Sequence, residues 1–115
     1  MTLEFSERPW GSYQVLHSTP AAQVKEIKVK AGSRLSYQTH QKRAEHWFIV
    51  QGPAVVTIDG QTKTLETGAS IDIAIGVAHR MAAPSTNDVV FIEVQTGTYF
   101  GEDDIVRLED DFGRN

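Results

Sequence analysis

The residues best suited to chemistry lie in two spaced sets, Gly32-x5-Gln38-x-His40-x4-Glu45-x6-Gly52 and Gly68-x7-Gly76-x2-His79. They offer an amide oxygen, two imidazoles and a carboxylate. In a β-strand, side chains at i and i+2 share a face, so Gln38 and His40 point the same way. Glu45 opens the next extended run after a short turn, and His79 arrives from a third segment. Gln38, His40, Glu45 and His79 thus form a candidate ligand set for one divalent metal ion, with positions left open for a substrate. These nitrogen and oxygen donors suit Zn first, with Mn, Fe, Co and Ni as alternatives. The competing reading is a chance set of polar residues on a β-surface, or a barrel that holds no metal. A single histidine would favour that reading; four residues at matched spacing, framed by four glycines, do not.

The elements that must position this set are short extended runs separated by turn residues. Gln23–Val29 places Ile27 and Val29 on one face; Lys28 and Lys30 fall on the other. Leu35–His40, Glu45–Val50, Ala54–Ile58, Gln61–Leu65, Ser70–Ile75 and Asp88–Gln95 read as further strands. Asp59-Gly60 is a strong hairpin signal. Turn markers stand at Gly32, Gly52-Pro53, Gly68, Gly76 and Pro84. The pattern predicts an all-β sandwich or barrel. Only Gly101–Leu108 suggests a short helical turn, with its acidic residues near the start.

At 115 residues the chain is expected to form a single domain spanning 1–115. A net charge of −4 gives no general attraction to nucleic acid or anionic lipid. The absence of cysteine excludes disulfides, thiolate metal sites and thiol nucleophiles. Met1-Thr2-Leu3-Glu4-Phe5 carries no signal-peptide pattern, and no apolar run approaches the ~20 residues of a membrane span. The expectation is a soluble, cytoplasmic protein with no nucleic-acid or membrane partner.

The two spaced sets resemble the paired motifs of the cupin superfamily, which are small β-barrels with a metal in the mouth. Three further stretches narrow the match: ERPWGSY at Glu7–Tyr13, RAEHW at Arg43–Trp47, and IEVQTGTYFGEDDIVRLEDDFGR at Ile92–Arg114. With them the chain, from about Arg8 to Arg114, resembles the C-terminal domain of type II mannose-6-phosphate isomerases. That resemblance implies a cupin-type double-stranded β-helix, or jelly-roll, barrel. It also implies glutamine at the Gln38 position, where many cupins carry histidine; the weaker donor should leave the metal a better Lewis acid. In that family the domain is usually fused to a GDP-mannose pyrophosphorylase. No P-loop or dinucleotide-type glycine loop occurs here, so guanylyl transfer is not expected. Ala74 stands where the family usually has proline and Ala83 where it has asparagine, both at turn or rim positions.

The remaining polar candidates are weighed against this frame. Arg43, in the turn before Glu45, suits clamping of a phosphate or steadying of an enediolate; in isolation it would read as a solvated turn residue. The resemblance implies that the arginine and histidine of RAEHW serve isomerisation. His46 is a catalytic candidate, yet alternation turns it opposite Glu45, toward a supporting or interface position. Glu93 is a candidate general base if its face lines the barrel, and a rim carboxylate if it does not. Arg80 and Tyr99 are candidate substrate-binding residues; the alternative for Arg80 is an ion pair at the rim. Lys25, Lys28 and Lys30 read as a solvated face, with phosphate binding as the alternative. Trp10 and Trp47 read as core or interface aromatics, His17 as a surface residue, and Glu109-Asp110-Asp111 as a solvated tail.

The expected function is metal-dependent aldose–ketose isomerisation of a phosphosugar, mannose 6-phosphate to fructose 6-phosphate by resemblance. The alternatives are another metal-dependent cupin enzyme, such as a sugar isomerase, an epimerase or a dioxygenase, and a non-catalytic sugar-binding or regulatory module. A homodimer is expected, because a small open barrel leaves strand edges exposed; the PWGSY segment is the candidate contact.

Overall fold

The computed structural model describes residues 4–111. Met1–Leu3, at the start of the segment read for a signal peptide, and the last residues of the C-terminal motif, through Arg114, lie outside the described residues. Eleven strands are present and no helix is assigned among the described residues. They are β1 (Phe5–Arg8), β2 (Gly11–Ser18), β3 (Ala22–Val29), β4 (Tyr37–Thr39), β5 (Arg43–Gln51) and β6 (Ala54–Ile58), then β7 (Gln61–Leu65), β8 (Ser70–Ile73), β9 (His79–Ala82), β10 (Val89–Gly97) and β11 (Val106–Glu109). The all-β expectation holds. The short helical turn expected at Gly101–Leu108 is instead a turn followed by β11. Pairing with β4 satisfies that backbone better than one isolated helical turn, whose nucleation is unfavourable.

The strands form two antiparallel sheets, ordered β1-β2-β3-β10-β5-β8 and β11-β4-β9-β6-β7. Their inner faces share one apolar core, including Ile27, Val29, Trp47, Ile49, Val56, Met81, Val89 and Phe91. Period-2 alternation sets those faces. Along β5, Arg43, Glu45, Trp47 and Ile49 are buried while the residues between them turn outward. The β6–β7 hairpin closes on Asp59-Gly60, both at positive φ (49° and 79°), the combination a type I′ turn requires. At Gly97 an added Cβ would lie 2.2 Å from the Lys42 carbonyl oxygen. Glycine there lets the end of β10 press against the entry of β5 and fixes where Arg43 begins.

Cross-strand register then assembles the polar interior. Glu93 of β10 lies opposite Trp47 of β5 and Lys25 of β3, and Gln95 opposite Glu45. In the second sheet Gln38 of β4 lies opposite His79 of β9 on one side and Arg107 of β11 on the other. Residues directly opposite share a face. Two polar rows, one from each sheet, therefore meet across one end of the barrel.

Candidate metal centre

The rows enclose a cavity of about 210 Å³ lined by Gln38, His40, Arg43, Glu45, His79 and Glu93 among others. Several waters fit such a volume at ~30 Å³ each, so it suits a small polar ligand. His40, Glu45 and His79 each aim one ligand atom inward, all within 4.8 Å of one another. His40 Nε2 is 3.3 Å from Glu45 Oε2, and His79 Nε2 is 3.6 Å from Glu45 Oε1. All three residues are buried.

The second nitrogen of each imidazole is held from behind. His40 Nδ1 lies 2.6 Å from the Asp104 carbonyl oxygen, and His79 Nδ1 lies 2.9 Å from that of Val77. A carbonyl only accepts, so both Nδ1 atoms carry the proton. In the neutral ring this leaves the Nε2 lone pair facing the cavity. Burial keeps the rings neutral: it pushes His40 down to about 4, helped by the Arg43 charge, and it also lowers His79. Backbone anchoring of the far nitrogen is how metal-binding histidines are ordinarily oriented. The donor set therefore fits a divalent cation.

Glu45 is the hub. Trp47 Nε1 donates to its Oε1 at 3.0 Å and Arg43 Nε donates to its Oε2 at 2.9 Å. Arg43 Nη2 also lies 3.2 Å from His40 Nε2, so the guanidinium and a metal ion would share two donor residues. Gln38 lines the same cavity, and its Nε2 is held by Ser36 Oγ at 2.9 Å. That leaves its Oε1 as the atom suited to a cation.

Glu93 is fully inside the barrel. Trp47 Nε1 donates to it at 3.2 Å and Gln95 Nε2 donates to its other oxygen. Burial and the neighbouring Glu45 push its carboxyl up to about 7, against the opposing pull of Arg43 and Lys25. A carboxyl with a pKa near neutrality can take and return a proton under physiological conditions. Parity left Glu93 open between rim and interior; the structure places it in the interior, because β10 is flanked on both sides by strands whose same-face residues are buried.

Other sequence candidates fall elsewhere. His46 is turned to the outer face of β5, where its Nδ1 meets Asp72 Oδ1 at 2.6 Å; it does not line the cavity, and the alternation of the strand is the reason. Tyr99 is not among the residues that line the cavity. It is exposed, its hydroxyl donates to Asp103, and Lys42 lies over its ring. Arg80 reaches the cavity wall but is engaged, donating to the Leu35 carbonyl at 2.9 Å and to Glu109 at 3.2 Å. Lys25, expected on a solvated face, is 3% exposed. It shares the inward parity of Ile27 and Val29, sits 4.3 Å above the Tyr13 ring and pairs with Glu102 at 3.0 Å. Trp10 and Tyr13 of the PWGSY segment are buried and line the cavity. The acidic stretch at 109–111 is not merely solvated, since Glu109 meets Arg80 and Asp111 pairs with Arg34 at 2.7 Å.

Two cavity residues had no sequence signal of their own. Glu102 pairs with both Lys25 and Arg43, 77 and 59 residues away; against the opposing effect of partial desolvation, these cations hold its half-exposed carboxyl below the usual range. Arg107 joins the wall only because β11 pairs with β4.

Comparison with known proteins agrees with this architecture. Residues 3–110 match the model of the family described as mannose-6-phosphate isomerase C-terminal. Alginate biosynthesis protein AlgA of Pseudomonas aeruginosa is 51% identical over 107 residues, covering 93% of this chain and 22% of that protein. A mannose-1-phosphate guanylyltransferase of Salmonella montevideo is 47% identical over 108 residues, covering 94% and 23%. The chain thus spans under a quarter of the length of these relatives. Among solved structures, an RmlC-like cupin from Shewanella frigidimarina superposes with a TM-score of 0.75 at 22% identity, covering 88% of this chain and 87% of that one. The capsular polysaccharide assembling protein CapF from Staphylococcus aureus gives 0.81 at 21% identity, covering 93% of this chain and 34% of that one. These likenesses identify the fold as a cupin barrel. The chain belongs to the mannose-6-phosphate isomerase C-terminal family.

Proposed function

We propose that the chain is a metal-dependent aldose–ketose isomerase acting on a phosphosugar, mannose 6-phosphate to fructose 6-phosphate. The observation that carries this reading is the pairing of two anchored imidazoles and Glu45, within 4.8 Å of one another, with a buried carboxyl of pKa about 7 in the same cavity. His40, Glu45 and His79 would hold the cation, with Gln38 as fourth ligand; Zn is proposed, with Mn, Fe, Co or Ni as alternatives. Such a cation supplies Lewis acidity toward a sugar oxygen.

The chain's own residues do the rest. Glu93 removes the proton from C2 of the open-chain aldose and returns it to C1, passing through an enediol, while the hydroxyl proton of O2 passes to O1. Trp47 and Gln95 hold the Glu93 carboxyl in place. Arg43 fixes Glu45 and brings a positive charge toward the developing enediolate. His46 and Tyr99 have no part in this scheme.

A cytoplasmic location and a homodimer belong to the same proposal. Among the described residues no helix is long and apolar enough to cross a membrane. Phe48 and Val50, exposed on the outer face of β5, support a covered face there.

The test is an isomerase assay with mannose 6-phosphate on metal-stripped protein reloaded with Zn, Mn, Co, Fe or Ni. Turnover with at least one metal is expected. No turnover with any of them sinks the reading: retained sugar-phosphate affinity would then favour a binding module, and oxygen consumption with iron a dioxygenase.

A further inference from the structure

Building on the phosphosugar reading, we propose that Arg107 binds the phosphate monoester of the substrate. Among the described residues, five cationic side chains line the cavity: Arg8, Lys25, Arg43, Arg80 and Arg107. Three are held by carboxylates. Lys25 meets Glu102, Arg43 meets Glu45 and Glu102, and Arg80 meets Glu109. Arg8 donates to the Tyr13 hydroxyl at 3.3 Å and lies over that ring. Arg107 is different: its Nε is buried and has no hydrogen-bond partner.

A buried donor left unsatisfied bears its full desolvation penalty, and a larger one when charged. Arg107 also lines the cavity, so its guanidinium is suited to an acceptor that arrives with the ligand. The register of β11 against β4 sets Arg107 directly opposite Gln38. Both face the same cavity, so a ligand held at Arg107 lies within the chamber that contains His40, Glu45, His79 and Glu93.

Charge favours the same occupant. The chain as a whole carries −4, yet the cavity wall has five cations against the three carboxyl groups of Glu45, Glu93 and Glu102. A phosphate monoester brings up to two negative charges and three acceptor oxygens, and a guanidinium fork matches two of them at once. A neutral hexose offers neither. Arg107 therefore sets the preference for phosphorylated over free sugar, a role that Arg43 and Arg80 are too heavily engaged to fill.

The experiment is calorimetric titration of mannose 6-phosphate, mannose and inorganic phosphate into the full chain, with Arg107→Gln and Arg107→Lys beside the wild type. Losing a charged hydrogen bond of about 1.5–3 kcal/mol predicts mannose 6-phosphate affinity falling roughly 10- to 150-fold in Arg107→Gln, with mannose affinity unchanged. Arg107→Lys keeps the charge without the fork and is expected to fall between. Where turnover is measured, KM rises more than kcat falls. Unchanged mannose 6-phosphate affinity in either variant overturns the assignment, as does an equal loss for mannose or a wild type that does not prefer the phosphorylated sugar. Phosphate-dependent binding without turnover removes the isomerase reading and leaves Arg107 in its role. Turnover with an unchanged KM in Arg107→Gln does the reverse.

Discussion

Replacing Arg43 by methionine removes a guanidinium that is 5% exposed and bound to two carboxylates. The two are not equally affected. Glu102 is half-exposed and keeps Lys25 at 3.0 Å. Glu45 is buried and loses its cationic partner, keeping the Trp47 N–H. Removing one member of a buried ion pair costs about 3–5 kcal/mol. Trp47 and the volume filled by methionine place Arg43→Met near the lower end, about 3 kcal/mol. With an unfolding entropy of about 2.1 cal/mol/K per residue, that lowers Tm by about 12 °C for a chain of this length.

Urea unfolding in EDTA, followed by tryptophan fluorescence, measures the loss directly, and a circular dichroism melt gives the Tm. The double variant Arg43→Met/Glu45→Gln removes both charges, so it should be less destabilised than the two single effects summed, by roughly 2 kcal/mol. Because Arg43 and a metal share Glu45 and His40, a divalent cation should restore more stability to Arg43→Met than it adds to the wild type. A loss below about 1 kcal/mol, or additive single effects, would refute the view that Arg43 neutralises a buried Glu45.

Other expectations are more local. Glu93 has a folded pKa raised from 4.5 to about 7, so its stabilising contribution is complete below about pH 4.5 and is lost as pH rises through 7. Relative to Glu93→Gln, metal-free wild type should lose about 3 kcal/mol across that window; parallel pH–stability curves would contradict the burial argument. Trp47→Phe keeps an aromatic ring but removes the N–H shared by Glu45 and Glu93 together with part of a buried side chain, and should cost at least about 1–3 kcal/mol in denaturant unfolding. His79→Ala should lower bound metal well below one per chain by elemental analysis, while His46→Ala, facing away from the cavity, should leave metal content unchanged. A His46→Ala protein that loses its metal would show that the outer face of β5 supports the centre.

Which parts of this were legible in the sequence follows from the distance over which each interaction acts. That Gln38 and His40 face one cavity is legible because strand periodicity is local: they need only i, i+2 alternation, and the Asp59-Gly60 turn needs only two backbone angles. Strand β9, which carries His79, has no sequence signature, because four residues with both His79 and Arg80 buried give no alternation to detect. Strands β1 and β2 were passed over behind the ERPWGSY motif, even though Tyr13 and Val15 alternate with more exposed neighbours. Lys25 had the right parity for the interior. It was misplaced because a lysine is buried only when a partner is supplied, and Glu102 lies 77 residues away.

The same reasoning explains the C-terminal stretch. By composition, the acidic residues at 109–111 resemble a solvated tail and those at 102–104 the start of a short helical turn. In the fold Glu102 and Glu109 are the far ends of pairs that begin inside the barrel. Glu102 neutralises Lys25 and Arg43, the Asp104 carbonyl sets the tautomer of His40, and Glu109 occupies Arg80. These acids tie up cations that would otherwise compete for an anionic ligand, and they leave Arg107 as the cation with an unpartnered buried nitrogen. A long-range closure of this kind has no periodic signature. It becomes visible only when β11 is laid against β4, and it follows that the segment after β10 belongs to the cavity as fully as the four candidate ligands do.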